Sequence, residues 1–164
     1  TRASGWDVMP IPPVVKPLVA TSERSNVVWH YTTTEPEGEW YATDHSVEGW
    51  KQGPGGFGTP ETPGSSVKTR WDGPDIWIRR SFNLTAPLPK SVALRIHHDE
   101  DAQVYVNGTL VAELEGWTTA YDLEEIPASV LREGRNVIAI HCHQDYGGQY
   151  IDCGLDAIIP AKGR

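Results

Sequence analysis

The apolar and polar positions of residues 91–114, SVALRIHHDEDAQVYVNGTLVAEL, set out a strand, a charged turn and a hairpin in order. Val92, Leu94 and Ile96 alternate with Ala93, Arg95 and His97, the period-two signature of a strand with one buried face and one wet face. The polar run His97-His98-Asp99-Glu100-Asp101 breaks this pattern, and its aspartates suit a turn through side-chain to backbone hydrogen bonds. Residues 103–106 resume a strand. Asn107-Gly108 follows, the preferred pair for a two-residue type I′ turn because both positions need positive φ. That turn places Val104 opposite Val111 and Tyr105 opposite Leu110. Both faces of the hairpin are fairly apolar, which predicts cover on both sides or by a loop.

The same alternation predicts further strands. Residues 76–84, IWIRRSFNL, place Ile76, Ile78, Phe82 and Leu84 on one face and Trp77, Arg79 and Ser81 on the other. Arg80 falls on the apolar face, so either a bulge re-aims it or a carboxylate pairs with it, because an unpaired buried guanidinium is very costly. Residues 27–31 form a short strand, and residues 115–126 carry Trp117, Tyr121 and another. Residues 127–133 read as the one short helix, with Pro127 in its first turn and Gly134 beyond its end. For residues 135–159 a two-residue turn at Gly147-Gly148 pairs positions summing to 295: Cys142 with Cys153, Ile140 with Leu155 and His143 with Asp152. Opposed cysteines are compatible with a cross-strand disulfide or with two buried thiols acting as small apolar residues.

Composition narrows the class. The chain has 164 residues, with 16 Gly, 13 Pro, 7 Trp and 1 Met. Together with turn signals every ten residues or so, this favours one all-β sandwich with at most one short helix. Prolines at 10, 12, 13 and 17 set residues 1–26 apart as a Pro-rich linker or N-terminal extension, leaving residues 27–160 as the sandwich and 161–164 as a tail. Residues 32–71 are irregular but aromatic enough to be ordered. Their Gly-rich piece, Gly53 to Gly58, lacks the Gly-Lys-Ser/Thr ending and the strand-to-helix context of a phosphate loop. A formal charge of −8 with scattered acids argues against a nucleic-acid partner. No apolar run reaches the ~18 residues of a membrane span, so no membrane partner is expected.

The order DIWIRRSF, LRIHHDEDAQVYVNG, LREGRNVIAIHCHQ, GGQYID resembles the galactose-binding-like jelly-roll β-sandwich, specifically the sugar-binding domain beside the barrel of family 2 glycoside hydrolases. The match rests on the aromatic-Arg-Arg strand at Trp77 to Arg80, the Val106-Asn107-Gly108 turn and the Gly134-Arg135-Asn136 strand entry. The resemblance implies an antiparallel jelly roll and a non-catalytic carbohydrate-binding module in a larger secreted enzyme. Its partners would be a carbohydrate and the parent polypeptide's catalytic domain, in an extracellular or periplasmic setting. The alternative is an architectural domain that packs on a catalytic partner without touching sugar, because fold alone does not set function.

An enzymatic reading would start from His97, His98, His141 and His143 with nearby acids, as a zinc site or an acid-base pair. His97 and His98 point to opposite faces of a strand, which breaks a shared site, so hydrogen-bonded histidines on a polar sheet face are the favoured reading. No cofactor is expected. Calcium at Asp99, Glu100 and Asp101 or near Asp156 is kept as an alternative on oxygen-ligand supply alone. Sugar rings stack on aromatic faces while acids and amides bind their hydroxyls. The expected carbohydrate-binding set is therefore Trp71, Trp117, Tyr121, Asp99, Asp101, His143, Asp145 and Tyr146, gathered at the end where the strands before Asp99 and before Asp145 both finish.

Overall fold

A computed structural model describes residues 12–160. Twelve strands follow one another: β1 (Val14–Val19), β2 (Val28–Thr32), β3 (Lys51–Pro54), β4 (Phe57–Gly58), β5 (Thr69–Arg70), β6 (Asp75–Leu84), β7 (Val92–Asp99), β8 (Asp101–Val106), β9 (Thr109–Leu114), β10 (Asp122–Ile126), β11 (Gly134–His143) and β12 (Tyr150–Ile159). They make a jelly-roll sandwich of two sheets. One runs β10-β7-β12-β4-β5, with β1 also on β12, and the other runs β3-β2-β6-β11-β8-β9. All pairings are antiparallel except the short β4–β5 contact.

The core lies where alternate residues of the two sheets meet. Leu94, Ile96, Ile151, Cys153 and Leu155 come from the first sheet, and Ile76, Ile78, Val104, Ile138, Ile140 and Cys142 from the second; all are at most 1% exposed. Each such aliphatic side chain removed from water stabilises the fold by about 1.5–3 kcal/mol, so these five strands dominate the balance. The Asn107-Gly108 turn forms as expected, with Asn107 at φ 50 and Gly108 at φ 81. Asn107 also tethers the turn to β11, accepting from Val137 N at 2.9 Å and donating to Asn136 Oδ1 at 2.8 Å.

Several expectations are corrected. Tyr105 does face Leu110, but a bulge between Val104 and Tyr105 brings Val104 opposite Ala112 and not Val111. Residues 127–133 hold only a 3-10 turn, Ala128–Val130, because Asn136 accepts from Arg132 N and donates to Arg132 O, drawing the chain straight into β11. Within the stretch set apart as a linker, Val14–Val19 is an edge strand on β12, from Val14 opposite Ile159 to Val19 opposite Leu155. Pro17 is tolerated there, at the register shift of an edge strand. Residues 1–11 and the tail at 161–164 lie outside the described residues.

The largest correction concerns Gly147-Gly148. β11 and β12 belong to different sheets, so the chain crosses the sandwich there and does not fold back on itself. Cys142 faces Ile76 and Ala102, Cys153 faces Ile96, and both are free, buried thiols. His143 faces Asp75 and Asp101, whereas Asp152 faces His97. Arg80 takes neither course foreseen for it: its Nη1 donates to the Val28 carbonyl at 2.9 Å, at the point where β2 leaves β6.

Candidate functional site

β7 ends at Asp99, Glu100 alone intervenes, and β8 begins at Asp101 in the opposite sheet, so this corner joins the two layers. The crossing from β11 to β12 closes the same end, and Glu100 N donates to His143 O at 3.3 Å. The loop after β9 returns here too: Trp117 makes an isolated bridge to Asp99, and Asp101 accepts from Gly116 N at 2.7 Å. Thr118 is clasped to β7. Its N donates to His98 O at 2.8 Å, and its hydroxyl accepts from His98 N at 3.1 Å. Thr62 clasps the crossing loop in the same way, with Oγ1 accepting from Gln149 N at 2.7 Å and donating to Gln149 O at 3.0 Å.

These contacts leave a cleft of about 260 Å3 lined by Asp99, Glu100, Trp117, Thr118, Tyr146 and Gly148, with Pro63 at its edge. Trp117 is 68% exposed and Tyr146 82%. Two large aromatic rings standing in water at the mouth of one cleft need a reason, since such rings ordinarily bury most of their area. Asp99 lies at the floor and is buried. Burial, and then the neighbouring Glu100 charge, push its carboxyl up to about 6. Such a group can present a donor as well as an acceptor near neutrality. Together the cleft offers apolar ring faces, carboxyl oxygens and threonine hydroxyls, the mixture that binds a polyhydroxylated ring.

Of the eight expected site residues, the cleft gathers Asp99, Trp117 and Tyr146. Trp71 is 2% exposed and belongs to the core. Tyr121 is committed to a network on the outer face of the first sheet. Its hydroxyl donates to Asp152 Oδ2 at 2.5 Å and lies 2.7 Å from Tyr150 Oη, while Asp152 also accepts from Ser22 N and Oγ. Asp101, His143 and Asp145 sit around the corner on the second sheet. There Asp75 Oδ1 is shared by His141 Nε2 at 2.8 Å and His143 Nδ1 at 2.9 Å, and His143 Nε2 reaches Asp145 Oδ1 at 3.0 Å. Carboxylates flank both ring nitrogens and favour the protonated ring, and the Asp75 hydrogen bond is the main cause that raises the His143 pKa. His141 stacks on Trp77, with ring centres 4.7 Å apart. His141 and His143 thus share a hydrogen-bonded face anchored by Asp75, whereas His97 and His98, expected with them, are buried on β7 against the Thr118 and Glu100 carbonyls.

Sequence reasoning passed over Pro63, Thr118 and Gly148. Thr118 follows Trp117 directly, which was the available signal; Pro63 and Gly148 lie in loops whose approach only the tertiary fold reveals. Among the described residues no group of three or more His, Cys, Asp or Glu is gathered as a metal cage.

No protein-family model matches the chain, and no curated protein matches it in sequence. Solved structures do share its fold. A Bacteroides uniformis β-glucuronidase 2 with bound cyclophellitol-6-carboxylate aziridine superposes with a TM-score of 0.62 at 18% identity, over 90% of this chain and 18% of that one. A Ruminococcus gnavus β-glucuronidase in complex with D-glucuronic acid gives 0.61 at 16% identity, over 93% and 31%. A glycosyl hydrolase family 2 member from Bacteroides cellulosilyticus gives 0.59 at 17% identity, over 79% and 20%. At these identities the likeness is one of fold, and the chain spans less than a third of each enzyme.

Proposed function

We propose that this chain is a non-catalytic carbohydrate-binding domain of a larger, secreted glycoside hydrolase, engaging poly- or oligosaccharide in the Trp117–Tyr146 cleft. The observation that carries this reading is the pair of exposed aromatic rings over the buried Asp99 carboxyl. Trp117 and Tyr146 supply apolar faces for the C–H side of a pyranose, and Asp99, Glu100, Thr118 and Thr119 face its hydroxyls. The shared fold with domains of family 2 enzymes supports a catalytic partner on the same polypeptide.

The test is retention of the isolated chain on a panel of insoluble polysaccharides and calorimetric titration with the oligosaccharides of any that retain it. Binding lost on Trp117→Ala, with no release of reducing sugar by the wild type, supports the proposal. Release of reducing sugar would overturn its non-catalytic part. A folded wild type that binds no member of the panel would favour the second reading, an architectural domain. That alternative has its own observation: Val14, Val15 and Ile159 are 61%, 44% and 46% exposed along the paired β1–β12 edge, an apolar strip suited to packing on a larger partner.

A further inference from the structure

On the second sheet, away from the Trp117 cleft, is a recess that the sugar-binding reading does not use. It holds about 90 Å3 between β2, β6, β11 and the loop before β3, and Arg79, Arg80, Arg135, His30, His45 and Ser81 line it. No carboxylate is among its lining residues. Along β6, Arg80 lies five residues, roughly 17 Å, beyond Asp75, so the recess is a separate place on the molecule.

The three guanidinium groups find only neutral partners. Arg79 Nη1 donates to Trp40 O at 2.7 Å and Ala42 O at 2.8 Å, and its Nη2 to His45 O at 3.4 Å. Arg135 Nη1 donates to Thr43 O at 3.1 Å, and Arg80 Nη1 to Val28 O. None of the three is in an ion pair among the described residues; nor are Arg24 and Arg132, whereas Arg70 and Arg95 have carboxylates. Arg79 is 3% exposed. Arg80 Nε is buried and has no hydrogen-bond partner. Burial lowers the proton affinity of both, and the Arg135 charge lowers that of Arg79 further; Asp44 opposes this from outside ion-pair distance. Arg79 has an evident structural duty, pinning residues 40–45 over the sheet. That duty accounts for its three bonds but not for the idle Arg80 Nε or for a third positive charge beside it.

We propose that this recess binds a small oxyanion, a carboxylate or sulfate group held by Arg79, Arg80 and Arg135. Guanidinium forks match the oxygen spacing of such groups and give the stronger, charge-assisted class of hydrogen bond. The volume suits one of them: about 90 Å3 is the liquid share of roughly three waters. In a chain of net charge −8, three arginines without an ion-pair partner around one hollow also set a local field opposite to that of the rest of the surface.

The experiment is an NMR titration of the arginine Nε–H signals of the whole chain with sodium sulfate, against sodium chloride at matched ionic strength. Sulfate is kept dilute because concentrated sulfate stabilises proteins generally by exclusion from their surface. Saturable shifts of the Arg79, Arg80 and Arg135 signals are expected, with affinity falling about tenfold or more in Arg135→Gln. If that variant fails to fold, Arg135→Lys keeps the charge and loses the fork, and the same weakening is expected. Galacturonate, acetate and galactose then identify the source of the anion. Galacturonate binding tenfold tighter than acetate assigns a sugar-borne carboxylate, equal binding assigns a free anion, and galactose is expected to leave these signals unmoved. Shifts that chloride reproduces, or that persist unchanged in folded Arg135→Gln, overturn the site. Loss of polysaccharide binding at Trp117 leaves this result untouched, so the two proposals fail separately.

Discussion

Gly148 lies so close to Asp99 that a Cβ built on it would stand 2.6 Å from Oδ2 and 3.3 Å from Thr62 Cγ2. The floor of the cleft and the loop that roofs it are therefore in direct contact, and a methyl group there would have to displace the Asp99 carboxyl. Gly148→Ala is expected to cost about 1–3 kcal/mol, as overpacking of a close-packed site does. Urea unfolding of the variant measures this, and an unchanged midpoint would refute the contact.

The two tryptophans assigned one role by sequence should now separate. Trp71→Ala removes a core side chain and is expected to cost about 3–5 kcal/mol of stability. Trp117→Ala should leave the unfolding midpoint within about 0.5 kcal/mol and cost about 1–3 kcal/mol of sugar affinity. Thermal melts and calorimetry on both variants test this. Equal melting losses would show that Trp117 is structural as well.

Asp99 gives a pH dependence whose sign follows from its raised carboxyl, at about 6 against an ordinary value of about 3.9. Between those values the folded state holds the proton more tightly than the unfolded one. Stability therefore declines as pH rises through this window, and the full cost of the buried charge is felt above it. Asp99→Asn cannot ionise. Its stability relative to wild type should be greater at about pH 7.5 than at about pH 4.5. The raised His143 imidazolium also loses stability as pH rises, but it does so in both proteins and cancels in the difference. A pH-independent difference in urea midpoint would contradict the assignment.

Cys142 and Cys153 are fully buried in opposite sheets, and burial pushes both thiols well up. A thiol reagent at neutral pH is expected to find neither in the native protein and both after denaturation. Reductant should leave the melting temperature unchanged; a drop would reveal a disulfide.

The strands β6, β7, β8 and β9 were legible because each carries period-two alternation and because Asn107-Gly108 admits few alternatives. Which sheet each strand joins was not. Gly147-Gly148 has the local chemistry of a hairpin turn, and nothing within six residues of it distinguishes folding back from crossing to the other layer. The cysteine register was lost with that choice, as was the pairing of His143 with Asp152. β1 was hidden by Pro17 and the prolines before it, which exclude a central strand but allow an edge. At the cleft, Trp117, Tyr146 and Asp99 could be named because exposed loop aromatics beside acids are a compositional signal. The burial of Trp71 in the core and the engagement of Tyr121 by Tyr150 and Asp152 depend on residues distant in sequence, which no local pattern records.

The clasp of Thr118 on His98, matched by that of Thr62 on Gln149, bears on how a ligand would be received. One wall has its main chain tied to β7 and the other to the Thr62 loop before anything arrives. A guest would then immobilise mainly the side-chain torsions of Trp117 and Tyr146, at about 0.5–1.5 kcal/mol each, and would not have to order a loop. If the cleft takes a sugar, the ordering cost would therefore be one of rotamer entropy. Amide hydrogen exchange at Gly116, Thr118 and Gln149 should be slow in the free protein and little changed in the bound one.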